Sequence, residues 1–94
     1  DLALSDITPL GAILLLRDLS LPNNAISDLR PLASVTRLRF LNLAGNEVSD
    51  LTPLINLNRL TTINLTNNEV SDLSPVGAIA DLKQVWVRGN PLSS

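Results

Sequence analysis

Hydrophobic and polar positions recur along the chain with a period of 22 residues. Four segments alternate apolar and polar side chains, each 22 residues after the one before: Leu19-Ser20-Leu21, Leu41-Asn42-Leu43, Ile63-Asn64-Leu65 and Val85-Trp86-Val87. Alternation of this kind predicts a short strand with one buried face. Because the spacing is constant and needs no gaps, we expect the four strands to stack in parallel, one strand in each repeat.

Each repeat continues the same template beyond its strand. The chain reads L-x-x-L-x-L-x-x-N-x-L four times in phase, which is the leucine-rich repeat signature. The asparagine of this template is expected to point inward, where its amide can donate to and accept from the backbone of adjacent turns. The predicted buried asparagine ladder consists of Asn24, Asn46, Asn68 and Asn90.

The remaining positions predict two kinds of turn. Residue types that readily adopt positive φ follow each strand, so the chain is expected to bend sharply at Asn23, Gly45, Asn67 and Gly89. The pattern Ser-Asp-hydrophobic-x-Pro-hydrophobic then occupies residues 5–10, 27–32, 49–54 and 71–76. Ser-Asp supplies a helix cap, and proline suits a first helical turn because no amide donor is needed there. Short 3₁₀ or α turns are therefore expected opposite the strands.

The 22-residue length and the Ser-Asp-x-x-Pro segment resemble the internalin-type leucine-rich repeats of bacterial surface proteins over residues 2–92. The resemblance implies an α/β solenoid, a right-handed superhelix with a short parallel sheet on its concave face and 3₁₀ or α turns on its convex face. It also implies a protein ligand on the concave sheet and a secreted or cell-surface bacterial origin. We expect one domain over residues 1–94, with full repeats at 19–40, 41–62 and 63–84 and partial repeats at 1–18 and 85–94.

Composition excludes most enzyme chemistry. The chain has no histidine, cysteine, methionine or tyrosine, which removes Ser-His and Cys-His nucleophiles, zinc sites built on His or Cys, and disulfides. The longest apolar run, residues 10–16, is too short to cross a bilayer, so no membrane insertion is expected. We expect neither catalytic residues nor a cofactor.

Two acidic columns are the remaining candidates for chemistry. Aspartates recur one repeat apart, roughly 5 Å from one another by strand spacing. That distance would suit a retaining glycosidase or a cation site, but helix capping explains the position better. Glu47 and Glu69 are interpreted as a solvated face, with cation binding left open as the alternative. The aspartate column, for which no metal is expected, consists of Asp6, Asp28, Asp50 and Asp72.

The solvent-facing strand positions are the predicted partner-binding surface. The only phenylalanine and the only tryptophan both lie there, and aromatic side chains often anchor interfaces. Surface packing of these rings is the alternative interpretation. The predicted partner-binding residues are Phe40, Asn42, Thr62, Asn64, Gln84, Trp86 and Arg88.

Charge is divided unevenly over the predicted surfaces. The strand segments carry Arg17, Arg39, Lys83 and Arg88 against Asp18 alone, a balance of +3 in a chain whose formal charge is -2. A mildly basic inner face favours an acidic protein or peptide partner. Nucleic acid would require more Lys and Arg, and we expect none to bind.

The two ends of the repeat array are predicted to be open. Leu14 and Leu15 occupy positions that are mostly polar in other repeats, and Leu2 stands where a ladder asparagine would be. Either a preceding cap is missing, or these leucines contact another molecule. The second functional hypothesis is therefore a structural spacer, or a fragment of a larger repeat array, that stacks end to end and can self-associate through its edges.

Overall fold

The computed structural model describes residues 6–7, 13–79 and 81–92. Four strands form one sheet in the order β1-β2-β3-β4, and all neighbouring pairs are parallel. One helical turn lies between each pair of consecutive strands, and irregular segments join the turn to the strands. The elements are β1 (Asp18–Ser20), a 3₁₀ helix (Arg30–Ser34), β2 (Phe40–Asn42), a 3₁₀ helix (Thr52–Leu54), β3 (Thr62–Asn64), α1 (Ser74–Gly77) and β4 (Gln84–Trp86).

The register of the sheet confirms the 22-residue period. Leu19 pairs with Leu41, Leu41 with Ile63 and Ile63 with Val85, so each strand residue lies beside its equivalent in the next repeat. The strands begin one residue before the apolar-polar alternation does. Hydrogen bonding nevertheless continues past their ends, since the N–H of Leu21 donates to the carbonyl of Asn42 at 2.8 Å. The predicted solenoid with its parallel sheet and opposing helical turns is therefore the fold of this chain.

The hydrophobic core runs between the sheet and the helical turns. Leucines of the central repeats are fully buried, whereas Leu82, Val85 and Val87 of the last repeat are only half-buried. Each repeat covers the apolar side chains of its neighbour, so burial is lost where stacking ends within the described chain. The fully buried large side chains are Ile7, Ile26, Leu29, Leu32, Leu38, Leu41, Leu43, Leu51, Leu54, Leu57, Leu60 and Ile63.

The predicted sharp turns after the strands are present at all four positions. Asn23 and Asn67 have φ of 58° and 59°, and Gly45 and Gly89 have φ of 72° and 79°. The alternation of asparagine with glycine has a steric reason. A Cβ added at Gly45 would overlap the amide oxygen of Asn23 in the preceding repeat, and one added at Gly89 would overlap that of Asn67.

An aspartate precedes each of the three described helical turns, but it is not the N-cap residue. The N-cap residues are Leu29, Leu51 and Leu73, whose side chains make no capping hydrogen bond. The aspartate one residue earlier accepts the N–H of the first helical residue instead, as Asp50 does from Thr52 at 3.0 Å. The predicted position of the cap was therefore wrong by one residue. A leucine occupies the N-cap and packs toward the core, while the aspartate before it accepts the first helical N–H.

These hydrogen bonds lower the pKa of the aspartates. The side chain and backbone N–H of Arg30 bring the pKa of Asp28 to about 2. The hydroxyl and N–H of Thr52 lower the pKa of Asp50, and the N–H and hydroxyl of Ser74 lower that of Asp72. All three donors favour the ionised carboxylate. In the first such segment, Asp6 is exposed and Ile7 is buried, whereas residues 5 and 8–10, including Pro9, lie outside the described residues, as does Leu2.

The asparagine ladder joins consecutive repeats through one buried amide each. The side-chain oxygen of Asn46 accepts the N–H of Ile26 at 3.0 Å, and its NH₂ donates to the carbonyls of Leu21 and Leu43, both at 2.9 Å. Because Ile26 and Leu21 belong to the preceding repeat, one amide replaces backbone hydrogen bonds that the turn leaves unmade. Asn68 repeats the arrangement one repeat later, with Val48 as donor and with Leu43 and Leu65 as acceptors.

The two outer members of the ladder differ from the inner pair. Asn90 makes the same set of contacts, accepting the N–H of Val70 at 2.9 Å and donating to Leu65 at 2.7 Å, but it is half-buried. Asn24 is also half-buried and donates to the carbonyls of Leu21 and Pro22. Burial was expected at all four positions, and these two remain partly open because they lie in the outermost turns of the described ladder.

Replacing an inner ladder residue should destabilise the fold. Asn68→Ala leaves the N–H of Val48 buried without a partner and removes one of the two amide donors to the carbonyls of Leu43 and Leu65. We therefore expect the free energy of unfolding to fall by roughly 1 to 3 kcal/mol. Asn90→Ala should cost less, because water reaches that position. Urea denaturation of the two variants beside the parent measures the difference. Equal and negligible losses at both sites would contradict the ladder.

Acid should weaken the helical turns. Because the folded-state pKa of Asp28, Asp50 and Asp72 is lowered, their stabilising contribution is complete above the ordinary aspartate pKa of about 4 and is lost as pH falls toward 2. Urea midpoints measured between pH 5 and pH 2 should therefore decline for the parent. The variant with all three aspartates changed to Asn keeps an acceptor oxygen and should show a flatter profile. An identical decline in that variant would contradict this assignment.

Candidate functional site

The outer face of the sheet, which we term the concave face, carries the residues that alternate with buried strand positions. None of its members in the described chain is buried, and the central strands β2 and β3 show the pattern half-buried, buried, half-buried. All seven predicted partner-binding residues lie on it. The twelve positions are Asp18, Ser20, Pro22, Phe40, Asn42, Ala44, Thr62, Asn64, Thr66, Gln84, Trp86 and Arg88.

The two aromatic residues project from the sheet in different rows. Phe40 lies in register with Thr62 and Gln84, whereas Trp86 lies in register with Asn64. Trp86 is 47% exposed, while Phe40 is half-buried. The difference follows from position, because β2 has a neighbour on both sides and β4 pairs only with β3 in the described sheet. The strands that hold Phe40 and Trp86, β2 and β4, are two strand spacings apart, about 10 Å across the sheet.

Two asparagines on the concave face present hydrogen-bond donors outward. The side-chain oxygen of Asn42 accepts the N–H of Ala44 at 3.1 Å, and that of Asn64 accepts the N–H of Thr66 at 3.0 Å. A backbone N–H must face an oxygen, so this contact fixes the orientation of both amides. Neither NH₂ group has a partner among the described residues. Because Asn42 pairs with Asn64 in the sheet, two donors stand side by side next to Trp86.

The aspartate column shows structural roles instead of a catalytic arrangement. A depression of about 440 Å³ lies against the first two helical turns, lined by Ser27, Asp28, Leu29, Arg30, Ser49, Asp50 and Pro53. Its carboxylates are already engaged, because Asp28 forms an ion pair with Arg30 at 2.8 Å and Asp50 accepts the N–H of Thr52 at 3.0 Å. The ion pair between Asp28 and Arg30 was not predicted from the sequence, although the spacing of two residues could have indicated it.

No metal cluster accompanies either acidic column in the part of the chain that the structure describes. Glu47 and Glu69 are exposed and take part through their backbone, since their N–H groups donate to the carbonyls of Ile26 and Val48. Cation binding at these residues gains no support from this geometry.

The N-terminal edge of the described sheet exposes an apolar segment. Ile13, Leu14 and Leu15 are 47%, 53% and 71% exposed, directly before β1. Exposure of Leu14 and Leu15 was expected from their alignment with polar positions. None of the helices in the described chain has the length and hydropathy that a bilayer crossing requires.

Comparison with known proteins places the repeat pattern in a family. The family model for leucine-rich repeats (2 copies) matches residues 15–56. The crystal structure of internalin C2 from Listeria monocytogenes is 38% identical, with a TM-score of 0.91 over 98% of this chain and 41% of that chain. The crystal structure of the internalin InlF from the same organism is 35% identical, with a TM-score of 0.93 over 98% of this chain and 27% of that chain. A comparison with curated protein sequences gives no match.

The chain spans less than half the length of either Listeria structure. The structural similarity to internalin C2 covers 98% of this chain, and it includes residues 15–56, which the family model matches independently. This stretch of chain is a leucine-rich repeat domain similar to those of the internalins.

Proposed function

We propose that this domain is a non-enzymatic module that binds a protein partner on its concave face. Leucine-rich repeat domains generally mediate protein–protein interactions, and solenoids use their extended inner surface for this purpose. The observation that carries the proposal is the half-exposed indole of Trp86 on that face. An aromatic side chain left in solvent on a rigid sheet gains apolar contact when a partner covers it.

The surroundings of Trp86 suit an interface. Asn64 lies beside it in register, and Asn42 follows one strand further, each with its NH₂ group directed outward. An apolar anchor next to unengaged donors is a composition typical of interface hot spots. Thr62, Gln84 and Arg88 add polar groups at the margin. No group on this face calls for a cofactor.

The charge of the strand segments favours an acidic partner. The segments that hold the concave face carry a balance of +3, while the whole chain carries -2. Complementary charge accelerates association and selects among partners more than it adds affinity. We therefore expect a protein or peptide with excess carboxylates, and not a nucleic acid.

Binding should depend on Trp86 more than on residues away from the sheet. Peptides selected on the immobilised domain from a randomised display library provide binders without knowledge of the natural partner. Trp86→Ala should weaken such binders by about 2 kcal/mol, roughly 30-fold in Kd, with little change in urea denaturation. Phe40→Ala should weaken them less, because Phe40 is half-buried.

Glu69→Ala is the matched control, since Glu69 is exposed in the turn beyond the ladder and lies off the concave face. We expect it to leave Kd within about twofold. Binders that ignore Trp86→Ala but are lost in Glu69→Ala would overturn the concave-face proposal.

A second candidate function is end-to-end stacking as a structural repeat spacer. Two observations favour it: the exposed Leu14 and Leu15 at one end, and the half-buried Val85 and Val87 at the other. The outer strands of the described sheet, β1 and β4, have the same repeat spacing. Pairing of one copy's β4 with another's β1 would continue the sheet in a head-to-tail, non-closing assembly.

Self-association should be visible as a mass that rises with concentration. If the edges stack, light scattering from micromolar to millimolar chain should show growth beyond the monomer, and Leu15→Lys should reduce it by placing a charge at the apolar end. Ser27→Lys, an exposed position away from the edge, should leave the growth unchanged. A monomer over the whole range would exclude this function for the chain.

A further inference from the structure

A row of cations crosses the sheet at the start of its strands. The N–H of Arg39 donates to the carbonyl of Arg17 at 2.7 Å, that of Thr61 to Arg39 at 2.9 Å, and that of Lys83 to Thr61 at 2.8 Å. These bonds place the four residues side by side, about 5 Å apart from one repeat to the next. Arg17, Arg39 and Lys83 are exposed.

Two further arginines extend this row. Arg37 and Arg59 are exposed in the turns that lead into β2 and β3, each next to a buried leucine of the core, Leu38 or Leu60. The resulting cluster of five cations lies along one edge of the concave face. We term it the basic rim, and it consists of Arg17, Arg37, Arg39, Arg59 and Lys83.

None of the cations of the basic rim forms an ion pair with an acid of the described chain. In the described chain the single ion pair joins Arg30 and Asp28, away from the rim. The nearest acids along the chain are Asp18 and Asp81, which leave the rim with a balance of +3. Adjacent like charges on neighbouring strands repel one another. A carboxylate from another molecule, lying between Arg17 and Arg39, would remove that repulsion.

Most carboxylates lie on the other side of the domain. They occur in the turns after the strands and at the starts of the helical turns, at Asp28, Glu47, Asp50, Glu69 and Asp72. Charge is therefore separated along the strand direction, with the concave face between a basic edge at the strand starts and an acidic edge beyond the strand ends. A partner of one sign is drawn to one edge and repelled from the other, which sets its orientation.

The concave face beside the rim also offers donors. The NH₂ groups of Asn42 and Asn64 point outward because their oxygens accept the backbone N–H groups of Ala44 and Thr66. A ligand that fits this arrangement must be rich in acceptors. An extended polypeptide supplies them twice, as carboxylates on its side chains and as main-chain carbonyls.

We propose that the basic rim binds an extended acidic polypeptide segment that crosses the strands, with its carboxylates on Arg17, Arg39 and Lys83 and its carbonyls on the amides of Asn42 and Asn64. This inference rests on the proposed function and adds the chemistry and direction of the partner. A polypeptide fits better than a nucleic acid, because the cations span only three strand spacings, about 15 Å, and their balance of +3 is small for a polyphosphate ligand. The aromatic side chains beside the rim add apolar contact that a polypeptide can use.

The test uses a fluorescein-labelled dodecapeptide in which Glu alternates with Ser, and a matched peptide in which every Glu is Gln. Fluorescence anisotropy at low salt should give the Glu peptide a Kd at least about tenfold below that of the Gln peptide. The difference should shrink toward 0.5 M salt, because added ions screen exposed charges.

Matched charge reversals locate the site. Arg39→Glu should raise the Kd of the Glu peptide at least tenfold, while Arg39→Lys should retain most of the affinity. Arg30→Glu makes the same change in net charge at an exposed position outside the rim and should change Kd by less than about twofold. Urea denaturation of each variant checks that the fold is retained.

Four outcomes would overturn the proposal: no measurable binding of the Glu peptide, equal binding of the Gln peptide, equal losses in Arg39→Glu and Arg30→Glu, or tighter binding of a dodecameric oligothymidylate or a heparin oligosaccharide. Failure of the rim is separable from failure of the concave-face proposal. If library-selected peptides need Trp86 but tolerate Arg39→Glu, the rim assignment alone is wrong. If they tolerate Trp86→Ala, the concave-face proposal is wrong.

Discussion

The buried amides of Asn46 and Asn68 are the interaction on which the geometry of this solenoid depends. Each amide satisfies an N–H and a carbonyl of the preceding repeat together with a carbonyl of its own. A sharp turn after a strand otherwise leaves such groups unpaired inside the core, which costs free energy. One side chain per repeat therefore allows the chain to turn sharply at every repeat while keeping the 22-residue register of the sheet.

The periodic part of the fold could be predicted from the sequence because each lattice position has one physical task. Leu41 and Ile63 fill equivalent buried sites, and Asn23 and Gly45 take the positive φ that their residue types tolerate. Those requirements repeat unchanged, so four copies of the pattern identify them. The steric overlap between the Asn23 amide and a side chain at position 45 explains why glycine follows asparagine in that column, which the pattern alone did not reveal.

Features that depend on how neighbouring side chains meet could not be predicted. The aspartates were expected at the N-cap, but a leucine takes that position because its side chain is required in the core. The exposed amides of Asn42 and Asn64 acquire a direction only from the backbone N–H groups two residues later. Half-burial of Asn90 reflects its place in the last described turn of the ladder, a difference from Asn46 and Asn68 that a repeating template does not encode.

The 22-residue repeat constrains the buried positions of this domain but not the outward strand positions. Buried positions and ladder residues are fixed by the repeat, so they carry little information about a partner. The outward strand positions face no such requirement, and they differ between repeats, as Ser20, Asn42, Asn64 and Trp86 do in one row. Because the backbone register places these residues at regular intervals on a rigid sheet, a change of side chain there alters the chemistry of the surface without altering the spacing. The surface chemistry that a partner would meet is therefore determined by rows of outward side chains, one from each repeat, that run perpendicular to the strands.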